Sequence, residues 1–94
     1  MTVNGFIWPE DRIRHIGNHS VEPYELEEAC FGRALVQRAT SSGPNPVYYV
    51  LGQTLAGRHL FCVVIQFPDG KGYPVTARSM TLSEKKRYNR WKRP

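Results

Sequence analysis

The segment LFCVVIQFPDGKGYPVTA, residues 60–77, decides the fold class of this 94-residue chain. Residues 60–67 are rich in β-branched and aromatic side chains, which favour strands. Residues 68–72 form a strong turn signal, because proline and glycine adopt the backbone angles that tight turns require. Residues 73–77 return to a strand pattern. The segment therefore predicts two antiparallel strands joined by a short turn.

Further strands are predicted upstream of this segment. Residues 47–51, VYYVL, favour a strand, and residues 52–59 fit a long hairpin connection, which completes a three-strand antiparallel meander. Residues 34–39 are a candidate short strand, followed by a loop whose Pro44 and Pro46 cannot continue a sheet interior. Side chains alternate along a strand, so we expect one of Tyr48 and Tyr49 in the core and the other exposed.

Helices are predicted on both sides of the strands. The PED sequence at residues 9–11 is typical of a helix start, and Gly17 with Asn18 indicates its end. A second short helix is expected from the start signal at residues 21–23 to about residue 31. Thr81 and Glu84 have the spacing of a capping box, which predicts a helix to about residue 92. The expected fold is α+β in one domain, residues 1–94: two N-terminal helices, a small antiparallel sheet of the meander plus one or two short strands, and a C-terminal helix.

The C-terminal helix separates aromatic from basic residues. On a helical wheel Tyr88 and Trp91 share one side, whereas Lys86, Arg90 and Arg93 lie on the opposite side. If the aromatic side chains dock on the sheet, the helix presents a basic ridge to solvent.

The net charge of +5 is unevenly distributed. Residues 1–57 contain four basic and six acidic residues, a balance of −2, whereas residues 58–94 contain nine basic and two acidic residues, a balance of +7. Such a segregated positive surface favours a polyanionic partner, because lysine and arginine gain from phosphate contact and counterion release.

Length and composition exclude several classes of protein. The chain is too short for a two-domain enzyme, and its longest apolar run, residues 60–65, is far shorter than a membrane-spanning helix. The N-terminus has no signal-peptide pattern, so we expect a soluble, cytoplasmic protein. Cys30 and Cys62 lack a CxxC spacing, and reduced thiols are expected.

Several short motifs occur together in a characteristic order. They are FIW at residues 6–8, HI at 15–16, HSV at 19–21, EEA at 27–29, GRHLF at 57–61, and VTARSMT at 75–81 followed by Glu84, Arg87 and Tyr88. From about residue 6 to residue 88 the chain resembles the BrnT-type toxins of bacterial type II toxin–antitoxin systems, whose fold is similar to that of RelE-like ribonucleases. The resemblance implies an endoribonuclease that cuts RNA and arrests growth. It also implies a partner, a DNA-binding antitoxin encoded beside it, with which the toxin would form a hetero-oligomer.

The chain departs from the family pattern at two places. The family usually has Lys-His-Gly-Val where this chain has NHSV at residues 18–21, and Trp-Asp where this chain has Trp8 and Pro9. Loss of a basic residue at Asn18 weakens phosphate binding. An alternative function is therefore a catalytically inactive member that binds its antitoxin or nucleic acid. A third possibility, a DNA-binding regulator acting through the C-terminal helix, lacks a helix-turn-helix pattern.

Candidate catalytic residues follow from the chemistry of RNA cleavage. Cleavage without a metal needs a base for the ribose 2′-OH, stabilisation of the transition-state charge and an acid for the departing 5′ oxygen. Arg78 can present a fork of donors to the scissile phosphate, and its other interpretation is an ion pair with Glu84. His15 and His19 have ordinary pKa values near neutrality and are candidates for proton transfer, or else capping or packing residues.

Supporting contacts to RNA and phosphate are expected from Arg58, Lys85, Arg87 and Tyr88. Tyr88 is also interpreted as a core anchor with a solvated hydroxyl. Zinc binding by His15, His19 and a cysteine matches no standard metal motif, so we expect no metal and no cofactor.

Overall fold

A five-stranded sheet forms the centre of the molecule, seen in a computed structural model that describes residues 1–94. The strands are β1 (Gly5–Phe6), β2 (Leu35–Arg38), β3 (Val47–Gln53), β4 (His59–Gln66) and β5 (Lys71–Ser79). The helices are α1 (Glu10–Gly17), α2 (Pro23–Phe31) and α3 (Leu82–Lys92). The predicted α+β class, with two helices before the meander and one after it, is confirmed.

The strand order is β1-β5-β4-β3-β2, and every neighbouring pair except β1 with β5 is antiparallel. The β4–β5 turn is shorter than predicted, since Lys71 and Gly72 already belong to β5. Gly70 makes this turn with a φ of 89°, a backbone conformation that favours glycine. The two-residue strand β1 was not predicted. It pairs in parallel with the start of β5. The two strands lie far apart in the sequence, so local patterns do not reveal this pairing.

One face of the sheet is sealed by α1 and α2. Along β4, Leu60, Cys62 and Val64 are fully buried, and they pack with Ile16 of α1 and Leu26 of α2. The two cysteines of the chain are free and lie in this core. The core therefore occupies the helix-covered face, and the alternate residues of β4 face the other way.

Helix α3 covers only one end of the opposite face. It begins at the predicted capping box, in which Thr81 Oγ1 accepts from the Glu84 N–H and a Glu84 oxygen accepts from the Thr81 N–H. Tyr88 is buried, with 1% of its surface exposed, as a core anchor. Trp91 packs against the Tyr88 ring at 6.0 Å, yet it stays 41% exposed, so the predicted docking of the aromatic side is complete only at Tyr88.

The two adjacent tyrosines of β3 lie on opposite faces, as predicted. Tyr48 packs against the core cluster, whereas Tyr49 is 43% exposed. No helix in the structure has both the length and the apolar character needed to cross a membrane.

Candidate nucleic-acid interface

The sheet face opposite α1 and α2 is only partly covered, and we call its uncovered part, around Tyr49, Phe61, Val63 and Arg78, the open face. The strand register places Phe61 between Leu51 of β3 and Arg78 of β5, and it places Tyr49 opposite Val63. The rings of Tyr49 and Phe61 lie 5.6 Å apart. Two aromatic rings are therefore presented side by side on a sheet surface that solvent reaches.

A pocket of about 340 Å³ lies between the open face and α3. This volume falls within the range of small-molecule sites. Leu35, Leu51, Tyr49 and Phe61 supply its apolar lining, and its polar lining comes from Gln37, Glu84 and Arg87.

Arg78 lies between an aromatic ring and a carboxylate. Its guanidinium carbon is 4.3 Å from the centre of the Phe61 ring, and its two terminal nitrogens donate to the two oxygens of Glu84 at 2.8 and 3.0 Å. The Arg78 guanidinium, together with the Thr81 N–H, lowers the pKa of Glu84. The ion pair considered from the sequence is therefore present, and it occupies the fork of donors that a phosphate would use.

The two basic residues of α3 that were predicted to contact phosphate lie near the same end of the sheet. Arg87 donates from Nη2 to the Gln37 side-chain oxygen, which connects α3 to β2. Lys85 is exposed, and its charge acts on His59 of β4. Both side chains keep donors directed toward solvent or the pocket.

His59 is a candidate that the sequence analysis missed. Its half-buried ring meets the Tyr88 ring edge-on at 5.8 Å. Burial beneath α3 lowers its pKa, and the positive charges of Lys85 and Lys92 lower it further against an opposing contribution from Asn89. The lowered pKa favours the neutral form of His59, which can accept a proton. His59 lies two residues before Phe61 on β4, so the two side chains point to the same face, and Phe61 pairs with Arg78. This alternation was the signal in the sequence that could have identified His59.

His15 and His19 lie together where α1 packs against β5. Their rings are perpendicular at 5.5 Å, and His15 Nε2 is 3.0 Å from Thr76 Oγ1. Neither histidine has a hydrogen bond or ion pair with Arg78. The structure thus places His15 against β5, the strand that also carries Arg78, without a hydrogen bond that joins the two side chains.

Arg58 lies near His19 and at the end of β5. It donates to the carbonyl oxygens of Ser20 and His19, to Glu25 and to Ser79 Oγ. Ser20 has a φ of 60°, so these bonds hold an unfavourable corner between α1 and α2. Arg58 therefore acts mainly by tying this corner to the end of β5.

The hydroxyl of Tyr88 is not solvated. It donates to the Arg33 carbonyl oxygen at 2.8 Å, deep beneath α3. The interpretation of Tyr88 as a core anchor is confirmed. Its hydroxyl, however, bonds to the backbone just before β2 and does not face a ligand.

The open face combines two neighbouring aromatic rings, arginine guanidinium groups and a largely apolar pocket, which suits a planar, anionic ligand. No group of three or more histidine, cysteine, aspartate or glutamate side chains is arranged to hold a metal ion. No family model, no curated protein and no solved structure matches this chain.

Proposed function

We propose that this chain is a toxin-type, metal-independent endoribonuclease that binds single-stranded RNA on its open face. The observation that carries the proposal is the pair formed by exposed Tyr49 and half-buried Phe61 beside Arg78 and Arg87. Unpaired bases stack on aromatic and guanidinium planes, and basic side chains neutralise the phosphates between them. Cleavage, as opposed to binding alone, is supported by the resemblance to BrnT-type toxins.

In this proposal Arg78 stabilises the charge that develops on the scissile phosphate. The phosphate competes with Glu84 for the guanidinium fork, and a dianionic transition state competes better than the ground state. His59 takes the proton-transfer role, because it is a diagonal cross-strand neighbour of Arg78, with α-carbons about 7–8 Å apart by sheet geometry. His15 and His19 then support the fold at the α1–α2 corner.

The test is digestion of single-stranded RNA by the purified protein in the presence of EDTA. We expect cleavage by the unaltered chain, none by Arg78→Gln, and a loss of about 100-fold or more for His59→Gln. Arg90→Gln is the matched control, since Arg90 is exposed on the far side of α3. Circular dichroism of each variant shows that the fold is retained. Intact RNA at enzyme excess with folded protein would overturn the proposal.

A second candidate is an RNA-binding protein without turnover. It is favoured by the fork of Arg78, which Glu84 already occupies. It predicts salt-dependent binding of the same RNA, measured by fluorescence anisotropy, with no cleavage products.

An antitoxin is the proposed protein partner, in a hetero-oligomer within the cytoplasm. The balance of +7 over residues 58–94 supports an acidic segment covering the basic surface. A neighbouring reading frame for a small DNA-binding protein, whose product copurifies with this chain and blocks RNA cleavage, would support this assignment. Failure of that product to bind would contradict it.

A further inference from the structure

The pocket between the open face and α3 has the shape of a site for one planar ring. Leu35 and Leu51 supply aliphatic surface, and Tyr49 and Phe61 add two neighbouring aromatic rings. The polar groups stand on one side only, where α3 approaches β2. A flat heterocycle can therefore stack on exposed Tyr49, with Phe61 beside it, and turn one polar edge toward α3.

The polar side of this pocket has more free donors than acceptors. Arg87 uses Nη2 to reach the Gln37 oxygen, and its other nitrogens, like the Gln37 amide nitrogen, have no hydrogen-bond partner in the protein. Glu84 Oε1 already accepts from Arg78 and from the Thr81 N–H, whereas Oε2 accepts only from Arg78. The pocket thus offers several donors and one partly used acceptor.

Guanine is the base that complements these groups. Its O6 and N7 are adjacent acceptors that match a guanidinium fork, and the N–H next to O6 can donate to a carboxylate. Adenine and cytosine place an amino group where guanine has O6, so a donor would face the donors of Arg87. Uracil has an acceptor at that place but only a single ring, which gives it less area for stacking.

We propose that this pocket binds the guanine base of a single-stranded RNA, with the ring stacked on exposed Tyr49 beside Phe61 and the O6–N7 edge on Arg87. That the guanine belongs to an RNA rests on the proposed function. A free guanine nucleotide presents the same base, so the experiment includes both sources.

The test measures binding of 2′-O-methyl heptamers of uridine that carry one guanine, adenine, cytosine or uracil at the centre. The methyl group blocks the 2′-OH, so that binding is measured without cleavage. We expect the guanine heptamer to bind about 10-fold more tightly than the others. Arg87→Gln should abolish this preference, and Arg90→Gln should keep it. GMP and AMP are titrated in parallel.

Each result has a distinct meaning. Equal affinity for the four heptamers, or a guanine preference that survives in Arg87→Gln, overturns the guanine site and leaves RNA binding intact. Preference for GMP over AMP without binding of any heptamer supports the guanine site and overturns the proposed RNA function. Absence of both kinds of binding overturns both proposals.

Discussion

Arg78 has a charge that is largely balanced before any ligand arrives. Its side chain is 37% exposed, but Glu84 takes both terminal nitrogens, and Phe61 covers one side of the guanidinium plane. Glu84 also closes the capping box of α3 through the Thr81 N–H. One carboxylate therefore orients the candidate phosphate ligand and starts the helix beside it.

Replacement of Glu84 by glutamine tests this double role. Glutamine keeps the capping-box geometry but removes the charge, so we expect Glu84→Gln to unfold more easily at pH 7, by up to about 1 kcal/mol for a pair this exposed. Arg78 lowers the pKa of Glu84 in the folded state, so the ion pair stabilises the fold above the ordinary glutamate pKa of about 4.3. This contribution is lost as the pH falls through the lower, folded-state pKa.

Urea unfolding at about pH 7 and pH 3 measures the effect. The difference between Glu84→Gln and the unaltered chain should shrink at the lower pH. Glu10→Gln is the control, because Glu10 pairs with Arg14 on an exposed helix surface and should change stability little at either pH. An equal difference at both pH values would show that the ion pair is not the cause.

At the scale of the elements, the approach of α2 to β3 depends on one glycine. A Cβ atom at Gly52 would lie 2.3 Å from the Ala29 carbonyl oxygen of α2, which is far closer than atoms can approach. This contact brings α2 onto the sheet directly above Leu60, the cross-strand partner of Gly52. The sealed face of the sheet therefore requires a residue without a side chain at position 52.

Gly52→Ala should destabilise the fold by about 1–3 kcal/mol, the usual cost of overpacking. Gly17→Ala is the matched control, since Gly17 lies at the end of α1 with no atom within 4 Å of an added Cβ. That substitution should be neutral or stabilising, because alanine favours helix more than glycine does. Thermal and urea unfolding of both variants checks the prediction, and similar midpoints for the two would contradict it.

Helix α3 supplies the polar side of the pocket and covers part of the sheet face next to it. Its capping box and Tyr88 fix it across the end of the sheet near β2 and β3, so it covers Leu51 but leaves Tyr49 accessible. Arg87 and Glu84 face the pocket as a result, whereas Lys86 and Arg90 lie on the outer side of the helix.

At the scale of the whole molecule, the basic part of the chain forms one side of the proposed RNA surface. The α-carbon radius of gyration is 12.6 Å, close to the value of about 13 Å for a compact domain of 100 residues. In a body this small, the charges of β5 and α3 lie close together. Their fields therefore add at the open face.

The salt dependence of RNA affinity shows which side of α3 contacts the RNA. Lys85→Gln should reduce the slope of log affinity against log salt by about 0.7, the value for one phosphate contact on single-stranded RNA. Lys86→Gln, a charge-matched neighbour on the outer ridge, should leave the slope unchanged. The measurement is fluorescence anisotropy with the uridine heptamer over a series of salt concentrations. Equal slopes for the two variants would place the RNA elsewhere.

Features of the fold that depend on residues close together in the sequence were predictable. The meander, its turn, the two N-terminal helices and the capping box of α3 follow from local backbone preferences and from alternation along a strand. β1 was not predictable, because a two-residue strand has no periodicity of its own. The same applies to the irregular register between Val63 and Val64, since it arises from the pairing of β4 with β5.

The candidate site was predictable only in part. Arg78 was identified as its centre and Glu84 as its possible ion-pair partner, since the two lie six residues apart across a strand end and a helix start. His59 was missed because it was assigned to a hairpin connection. His15 and His19 were chosen for the acid–base chemistry of histidine, and the sequence did not show that they pack against each other and that His15 bonds to Thr76.

The sequence by itself therefore determined the α+β class, the order of the elements and the segregation of positive charge, because these depend on composition and on interactions between near neighbours. Only the tertiary structure decided that Arg78 shares a face with Tyr49, Phe61 and His59, and that Arg58 ties the α1–α2 corner to the end of β5. Strand register and the side on which a helix packs determine which distant residues meet. Both are set by burial of the common core, to which residues from almost the whole chain contribute.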